Sequence, residues 1–536
     1  MLAEAGLVEI AERWLTDFEK ALVARDAVLL GELFERDGHW RDVLALTWRI
    51  ATSSGGPQIG SQLARHAARA RPRSFKVDPR RTPPRRVTRG GRECIEAIFR
   101  FETADGPAAG VVRFLPTSER CWTLLTALDD LNKKYSKNEE RAVLIVGGGH
   151  AGLSIAARLK ERGIDALIVD RWPRVGDNWR QRYGVLKLHN QVYVNHLPYL
   201  RYPDDFPVYI PKDLLADWFE TYQRRLELPY WTNAEFKGGT WQSDRWSVMV
   251  ERDGRMQELR PRHVVLATGV SGIPSIPDVP ALKGFHGKLL HSSQYRDAAA
   301  WKGRRAIVIG TGTSGHDIAQ DLHSAGAQVT IVQRSPTLVI NVEPSAQLVY
   351  SIYHEGPPLE DCDLVTVSVP LPVAKRAHQL ASDHAKRLDR ELLDKLEQKG
   401  FRLDYGDDNT GWQFKYLTRG GGYYFNVGAS DLIVDGKIAL AQFSDLAKLL
   451  PGTDLVVLAT GYEGQQALVE KLFGRDIAQR VGPVWGYGDG LELRNMFQRT
   501  EQPGLWFIAG SFAQCRIYSK YLALQIQAAE AGLLRD

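Results

Sequence analysis

The 536-residue sequence predicts an α/β protein with two Rossmann-type units, preceded by a small α+β unit. The Rossmann-type units are predicted because the order strand, glycine-rich turn, helix, strand occurs twice, opening first at Gly147 and again at Gly310. The α+β unit is predicted because helical periodicity near the N-terminus is followed by segments that alternate apolar and polar side chains. These patterns place parallel α/β structure after an independent first unit.

The first stretch, residues 1–132, has its own pattern. Between Leu7 and Phe34 apolar residues recur at helical spacing and are expected to share one face, namely Ile10, Trp14, Phe18, Leu22 and Leu29. Strand-like segments follow at 95–101, 111–114 and 121–125. Residues 133–140 are polar and without periodicity, which predicts a linker.

The first glycine turn follows the apolar run 143–146 and leads into a helix. Gly147 allows a tight turn, Gly149 lets the backbone approach a pyrophosphate, and Gly152 lets helix and strand pack closely. The helix N-terminus offers free N–H groups to the phosphates. Asp170 ends the next strand, where an acid can bond ribose hydroxyls. This order predicts a dinucleotide site.

The second glycine turn contains Gly310, Gly312 and Gly315. Its second strand ends in Gln333 and Arg334, so the acid of the first copy is replaced by a base. An arginine there can accept a 2′-phosphate, which favours NADPH over NADH; the alternative is a solvated loop charge. The two sites therefore predict FAD at the first turn and NADPH at the second, an arrangement for hydride transfer to flavin.

The cysteines exclude one class of flavoenzyme. Disulfide reductases need a redox-active cysteine pair soon after the first glycine turn, and residues 175–183 contain no cysteine. The four cysteines are scattered, without metal-ligand spacing, at Cys94, Cys121, Cys362 and Cys515. We expect buried or incidental thiols in a reducing cytosol, and no metal site.

Three motifs resemble those of class B flavin-dependent monooxygenases. Residues 285–295 resemble the signature FxGxxxHxxx(Y/F/W), residues 176–183 the GxxWxxRY stretch, and residues 454–462 the D-x-x-x-x-ATGY box. The stretch Leu-Lys-Leu-His at 186–189 is similar to that of the plant-type YUCCA branch. The resemblance extends from about Arg141 to the C-terminus.

This resemblance implies a cycle in which NADPH reduces FAD and the reduced flavin captures O2 as a C4a-hydroperoxide. One oxygen atom then passes to a nitrogen, sulfur or carbonyl carbon of a small organic substrate, with N- or S-oxygenation or 2-oxo acid oxidation favoured. Asn190 is the expected catalytic amide facing the flavin, able to donate to the peroxide and accept from nicotinamide. His291 is expected to link cofactor-domain motion to the cycle, with a packing role as the alternative.

The resemblance also implies further cofactor contacts. Besides the glycines, Asp170 and Arg334, these fall on Arg171, Trp179, His189, Thr313, Ser314, Ser335, Thr460 and Gly461. For His189 a structural role is the alternative. The expected domains are 1–132, the linker 133–140, the FAD-binding domain in two parts at 141–284 and 454–536, and the NADPH-binding domain with a helical insertion at 285–453.

The first unit resembles, by pattern alone, a nuclear-transport-factor-2-like or SnoaL-like cone. Such a unit is expected to mediate homodimerisation or to cap its neighbour; ligand binding is the alternative. Nine arginines between Arg65 and Arg89 are interpreted as a solvated loop, with an anionic partner as the alternative. In the insertion, a helix at 373–399 or an aromatic loop at 420–426 is expected to shape the substrate entrance.

Composition narrows the class further. The net charge of +5 does not suggest nucleic-acid binding, and no apolar run reaches the roughly 18 residues that a membrane span needs. Glu4, Glu9 and Glu12 interrupt the first apolar residues, so no signal peptide is expected and a cytoplasmic location is. A Baeyer–Villiger enzyme is disfavoured because Tyr295 and Arg296 stand where that branch has Trp-Pro. The sequence leaves open an NADPH oxidase or reductase without oxygen transfer, and a nucleotide-sensing scaffold.

Overall fold

A computed structural model describes residues 4–135, 140–270 and 272–534, so part of the predicted linker lies outside the described residues. We call residues 4–131 the N-terminal unit. Its elements are α1 (Glu4–Ala24), α2 (Ala27–Glu32), β1 (Phe34–Val43), β2 (Ile50–Ser54), α3 (Gly56–Ala70), β3 (Arg73–Val77), β4 (Arg85–Arg89), β5 (Arg92–Glu102), β6 (Pro107–Phe114) and β7 (Cys121–Leu128).

Two α/β units follow the N-terminal unit. Their elements up to residue 274 are β8 (Val143–Val146), α4 (His150–Glu161), β9 (Ala166–Val169), α5 (Asp177–Arg180), α6 (Lys212–Arg225), β10 (Tyr230–Trp231), β11 (Ala234–Gln242), β12 (Arg245–Arg252), β13 (Arg255–Leu259), β14 (His263–Leu266) and β15 (Ile273–Pro274). Those up to residue 398 are β16 (Lys288–His291), β17 (Arg305–Ile309), α7 (Thr313–Ser324), β18 (Gln328–Gln333), β19 (Leu338–Asn341), α8 (Leu359–Val367), α9 (Leu371–Leu388) and α10 (Arg390–Gln398). The remainder are α11 (Gly411–Arg419), β20 (Tyr423–Asn426), α12 (Ala429–Val434), β21 (Ala439–Gln442), α13 (Leu446–Leu449), β22 (Leu455–Leu458), β23 (Tyr462–Glu463), α14 (Gln465–Phe473), α15 (Arg475–Val481), β24 (Leu505–Phe507) and α16 (Phe512–Glu530).

The N-terminal unit is a sheet covered by three helices. The strand order is β2-β1-β7-β6-β5-β3, with β4 paired to β5, and only the β1–β7 pair among these is parallel. Trp14 and Phe18 of α1 stack at 4.8 Å and meet Phe34 and Phe114 edge-on or nearly so. These aromatic contacts hold α1 against the sheet.

The apolar residues expected to share one helical face are divided between α1 and α2. Asp26 accepts hydrogen bonds from the N–H groups of Val28 and Leu29 and starts α2 as a separate helix. The new helix direction leaves Leu29 44% exposed, so it does not share the buried face of Trp14 and Phe18.

Each α/β unit has a five-stranded parallel sheet. The first has the order β10-β9-β8-β14-β24 and the second β16-β22-β17-β18-β21. The domain boundary expected at residue 454 is therefore wrong, because β22 lies inside the second sheet, between β16 and β17. The chain returns to the first sheet only with β24, and α16 then packs on α4.

The insertion of the second unit differs from its expected form. The helix expected at 373–399 is two helices, α9 and α10, separated at Asp389, whose buried carboxylate accepts hydrogen bonds from Asn341 and Ser345. The segment expected as an aromatic loop contains β20, which pairs with β19 and buries Tyr424 and Phe425. Among the described residues, no helix is long and apolar enough to cross a bilayer.

Candidate FAD and NADPH sites

The first glycine turn joins the carboxyl end of β8 to α4. Gly147 has φ +104°, and a Cβ added there would lie 2.7 Å from the carbonyl oxygen of Ala267. A Cβ added at Gly152 would lie 2.0 Å from the Gly147 oxygen, closer than any side chain allows. Both positions therefore require glycine, the first for its backbone conformation and the second for helix packing.

The start of α4 is open to an anion. Its N-cap is Gly149, which has no side chain with which to satisfy the first helix N–H groups. Asn178 Nδ2 lies 2.9 Å from the position of a Cβ added at Gly149, and within the described chain Asn178 Oδ1 is buried without a hydrogen-bond partner. The bare helix N-terminus, with the Asn178 Nδ2 donor beside it, fits a dinucleotide pyrophosphate, whereas Asn178 Oδ1 can only accept and would need a hydroxyl or another donor.

Asp170 lies at the end of β9, where its position in the sequence predicts it. One carboxylate oxygen accepts from the Gly148 N–H at 2.6 Å and the other from the Trp172 N–H at 3.1 Å. Burial raises the pKa of Asp170, opposed by these hydrogen bonds and by one from Tyr230. The carboxylate thus holds the turn in shape, and its contact with a ribose stays a prediction.

The second glycine turn repeats this geometry between β17 and α7. Gly310 has φ +116°, and a Cβ at Gly315 would lie 2.0 Å from the Gly310 oxygen. The N-cap of α7 is Gly312, again without a capping side chain. Thr313 donates to the Tyr423 carbonyl at 3.1 Å, and Ser314 hydrogen-bonds Tyr183. The backbone N–H groups of this turn are the ones left to meet a phosphate.

Arg334 is exposed at the end of β18, and a second arginine lies beside it. Arg402 Nη2 donates to the Arg334 carbonyl at 2.7 Å. A reciprocal pair of hydrogen bonds between the Gln333 side chain and the Arg402 backbone fixes this contact. Sequence reasoning missed Arg402, because it lies in the insertion, 68 residues further along the chain. Two guanidinium groups at this edge suit a phosphate monoester.

His189 and Asn190 line a cavity of about 180 Å³. The other walls come from the insertion and the C-terminal segment, and include Tyr350, Trp412, Gln413, Tyr416, Tyr423, Phe425, Ser511, Phe512 and Gln514. The side chain of Asn190 hydrogen-bonds Tyr350, and the Asn190 backbone carbonyl accepts from Asn195 Nδ2 at 2.8 Å. Burial lowers the pKa of His189 to about 4, so its ring is neutral near pH 7.

Two residues that line this cavity, Phe512 and Tyr423, contact residues at the glycine turns. His150, at the start of α4, stacks on Phe512 at 4.2 Å, and its Nε2 lies 2.9 Å from the Gly510 oxygen. At the second turn, Thr313 donates to the backbone carbonyl of Tyr423. The segment after β24, which contains Gly510, thus lies beside the first turn. Leu522 and Leu524 of α16 are fully buried.

His291 is not brought together with Asn190. It ends β16, and its Nε2 lies 3.2 Å from the Gly461 oxygen while Nδ1 lies 2.9 Å from Ser293 Oγ. Burial lowers the pKa of His291, opposed by the contact to Gly461. Both ring nitrogens of His291 are thus occupied by neighbouring protein groups, at Gly461 and Ser293. These contacts favour a positioning role over proton transfer.

Two tyrosines of the sequence motifs bind the same helix. Tyr183 donates to Asp317 at 2.8 Å, and Tyr295 donates to Asp321 at 2.7 Å, one turn further along α7. Burial raises the pKa of Asp317 to about 7, opposed by the Tyr183 hydrogen bond. Both motifs therefore attach α7 of the second unit to segments that precede it in the chain.

The remaining predicted cofactor residues are dispersed around the two turns. Arg171 Cζ lies 5.2 Å from the centroid of the Trp172 ring. The ring centroids of Trp179 and Phe512 are 6.1 Å apart. Thr460 donates to the Ser275 carbonyl at 2.6 Å, next to Gly461, in the β15–β23 connection. The Ser335 carbonyl accepts from Thr337 at 3.4 Å. Their contacts to cofactor stay predictions.

The middle of the chain is similar in sequence to known proteins. Residues 140–351 match the FMO-like family, described as flavin-binding monooxygenase-like. The probable indole-3-pyruvate monooxygenase YUCCA10 of Arabidopsis thaliana is 31% identical over 209 residues, 38% of this chain and 55% of that protein. YUCCA4 of the same organism, another probable indole-3-pyruvate monooxygenase, is 29% identical over 337 residues, 60% of this chain and 75% of that protein.

The chain spans about half the length of the first curated relatives it matches. Among solved structures, OTEMO in complex with FAD and NADP has a TM-score of 0.54 at 14% identity, over 74% of this chain and 86% of that one. At this identity the likeness shows the fold alone. The family match begins at residue 140 and so does not include the N-terminal unit.

Proposed function

We propose that this protein is an NADPH- and FAD-dependent monooxygenase that transfers one oxygen atom of O2 to a small organic substrate. The observation that carries the proposal is the cavity containing Asn190, connected by His150 to one bare glycine turn and by Thr313 to the other. The family match over residues 140–351 supports the same chemistry.

The residues present fit both cofactors. The turn at Gly147 would hold the FAD pyrophosphate, and the turn at Gly310 would hold that of NADPH, with Arg334 and Arg402 at the 2′-phosphate. Bound FAD would supply two-electron chemistry between NADPH and O2. The different charges at the ends of β9 and β18 are the reason for assigning each cofactor to its turn.

The cavity side chains perform three tasks in this proposal. Asn190 presents an amide that donates and accepts without titrating; Tyr350 holds that amide, and Asn195 holds the Asn190 backbone. His189 contributes a neutral ring, so it places no charge beside the reacting atoms. Trp412, Tyr423 and Phe425 exclude water, which strengthens each polar contact inside the cavity.

N- or S-oxygenation and 2-oxo acid oxidation are the favoured reactions. The relatives named indole-3-pyruvate monooxygenases support the last of these. A Baeyer–Villiger reaction stays the alternative, as does NADPH oxidation without oxygen transfer. We propose further that the N-terminal unit is a nuclear-transport-factor-2-like cone. The packing of three helices on a mostly antiparallel sheet of seven strands supports this.

The test is a product screen with isotopically labelled oxygen. Purified holoenzyme, NADPH and ¹⁸O2 are incubated with amines, sulfides, ketones and 2-oxo acids, and products are identified by mass. The proposal predicts one labelled oxygen atom per product molecule. Asn190→Ala should lower product formed per NADPH by about tenfold or more, the usual loss for a donor at developing charge. NADPH consumption with no labelled product from any class would contradict the proposal.

A further inference from the structure

A second cavity, of about 300 Å³, adjoins the one that contains Asn190, and we call it the outer cavity. The two cavities share the wall residues Tyr350, Gln413, Ser511 and Gln514. Gln413 Oε1 is buried and has no hydrogen-bond partner in the described part of the chain. A molecule reaching Asn190 from the outer cavity would pass this free acceptor.

The N-terminal unit forms one wall of the outer cavity. It contributes Arg41 of β1, Ile50 of β2 and the β4 end at Thr88, Arg89 and Gly90. The opposite walls come from α9, the 487–498 segment and α16. A unit outside the family match thus borders the path to the candidate reaction site.

This wall is fixed in place by buried ion pairs. Arg41 binds Glu492 with two hydrogen bonds, Nε to Oε1 at 2.8 Å and Nη2 to Oε2 at 2.6 Å, and Thr52 donates to the same carboxylate at 2.8 Å. Arg41 Nη1 also donates to the Val367 carbonyl. A bidentate pair held by a third donor leaves little freedom for movement.

A second set of ion pairs joins the same faces. Arg89 donates to both Glu96 and Glu355, which lie in the N-terminal unit and in the segment before α8. Arg81 and Thr82 bind Asp361 of α8. These contacts correct the expectation of a solvated arginine loop, since several of its arginines connect two units of the chain.

The chemistry of the outer cavity favours an uncharged aromatic occupant. Its walls carry the aromatic side chains Tyr353, Tyr487, Phe497 and Tyr518, besides Tyr350. Both arginines that line it are already paired with carboxylates. His378, which also lines it, has a pKa lowered to about 4 by burial and carries no charge near pH 7. An added charge would lose hydration without gaining a counter-ion.

We propose that the outer cavity holds the uncharged aromatic part of the substrate, and that Ile50 of the N-terminal unit limits the size of that part. This rests on the proposed monooxygenase function, because it assigns the cavity to the substrate of that reaction. The N-terminal unit is then a specificity-determining wall as well as a cap.

The test measures binding to the oxidised holoenzyme by calorimetry, without NADPH, so that no turnover occurs. The probes are methyl phenyl sulfide, methyl 2-naphthyl sulfide, and the naphthyl sulfide with a carboxylate on the far ring. We expect the naphthyl probe to bind about tenfold more tightly than the phenyl probe, because more apolar surface is buried. The carboxylate should weaken that binding at least about tenfold.

Two variants separate the wall from general stability. Ile50→Phe narrows the cavity and should weaken naphthyl binding by about tenfold while changing phenyl binding by less than about twofold. Ile59→Ala, in α3 of the same unit and outside the cavity, is the matched control and should leave the ratio of the two affinities unchanged.

The inference is overturned if Ile50→Phe leaves the affinity ratio unchanged, if Ile59→Ala shifts it equally, or if neither neutral sulfide binds. The proposed function fails in a different way. Binding that follows the expected pattern, with no labelled product on adding NADPH and O2, would reject the oxygen transfer and retain the binding site.

Discussion

Two arginines lie at the end of β18, and only one of them could be predicted from the sequence. Arg334 could be identified because it replaces the acid that Asp170 supplies in the first copy. Arg402 could not, because its place beside Arg334 depends on hydrogen bonds between Gln333 and a segment far away in the chain. Local patterns locate residues on a motif, whereas contacts across an insertion require the folded chain.

Arg334→Ala and Arg402→Ala should each raise the KM for NADPH. The expected increase is about tenfold or more, corresponding to the loss of a charge-assisted hydrogen bond of about 1.5–3 kcal/mol. The KM for NADH should change by less than about twofold, because NADH lacks the 2′-phosphate. Steady-state kinetics with both nucleotides measures this. Arg390→Ala, an exposed arginine of α10, is the control, and equal effects on the two nucleotides would reject the assignment.

At the element scale, the two strand–turn–helix copies were predictable because each is formed by neighbouring residues. Their glycines stand where the chain reverses over a few residues, and the structure shows the clashes that any side chain would cause. Which sheet β22 joins was not predictable from its own residues. The sequence of β22 is similar to that of β14, which belongs to the first sheet. Only the pairing of β22 with β16 and β17 shows that it belongs to the second sheet.

Gly152→Ala and Gly315→Ala form a matched pair of variants. In each, the new Cβ would lie 2.0 Å from a carbonyl oxygen of the turn, so α4 or α7 must shift away. We expect Gly152→Ala to be purified with at most about a tenth of the flavin of the parent protein, since displacement of the helix removes its N–H groups from the pyrophosphate. Gly315→Ala should retain flavin and raise the KM for NADPH about tenfold.

Flavin content by absorbance and reduction by NADPH measure these effects. Gly464→Ala is the control, because Gly464 has φ −65° and no atom within 4 Å of an added Cβ. Loss of flavin in the Gly315 variant alone would reverse the assignment of the two turns.

At the scale of the whole molecule, the N-terminal unit is joined to the rest by buried charges. Glu96 receives hydrogen bonds from Arg85, Arg89 and Arg113, and Arg113 reaches Ser368 at the end of α8. Burial alone would raise the pKa of Glu96, but Arg113 and Arg89 outweigh it and lower that pKa to about 2. The sequence showed an arginine-rich segment, but the acids that pair with it are dispersed along the chain.

Glu96 should make the stability of this junction depend on acid. Because its folded pKa is below the unfolded value of 4.5, its stabilisation is present above pH 4.5 and is lost as the pH falls towards 2. Glu96→Gln should lower the free energy of unfolding by about 3 kcal/mol near pH 7, since Arg113 stays buried with a weaker partner. Unfolding followed by tryptophan fluorescence at several pH values tests this. Glu93→Gln, an exposed acid of the same strand, should have little effect.

Oxygen transfer requires that the reduced protein react with O2 through an intermediate step, and this reaction can be followed directly. Holoenzyme is reduced with one equivalent of NADPH, mixed with oxygenated buffer in a stopped-flow spectrometer, and followed across the flavin bands. We predict a transient species that absorbs at shorter wavelength than oxidised flavin, decays in a separate step, and decays faster in Asn190→Ala. A direct, single-step return of the oxidised spectrum, identical in Asn190→Ala, would contradict oxygen transfer.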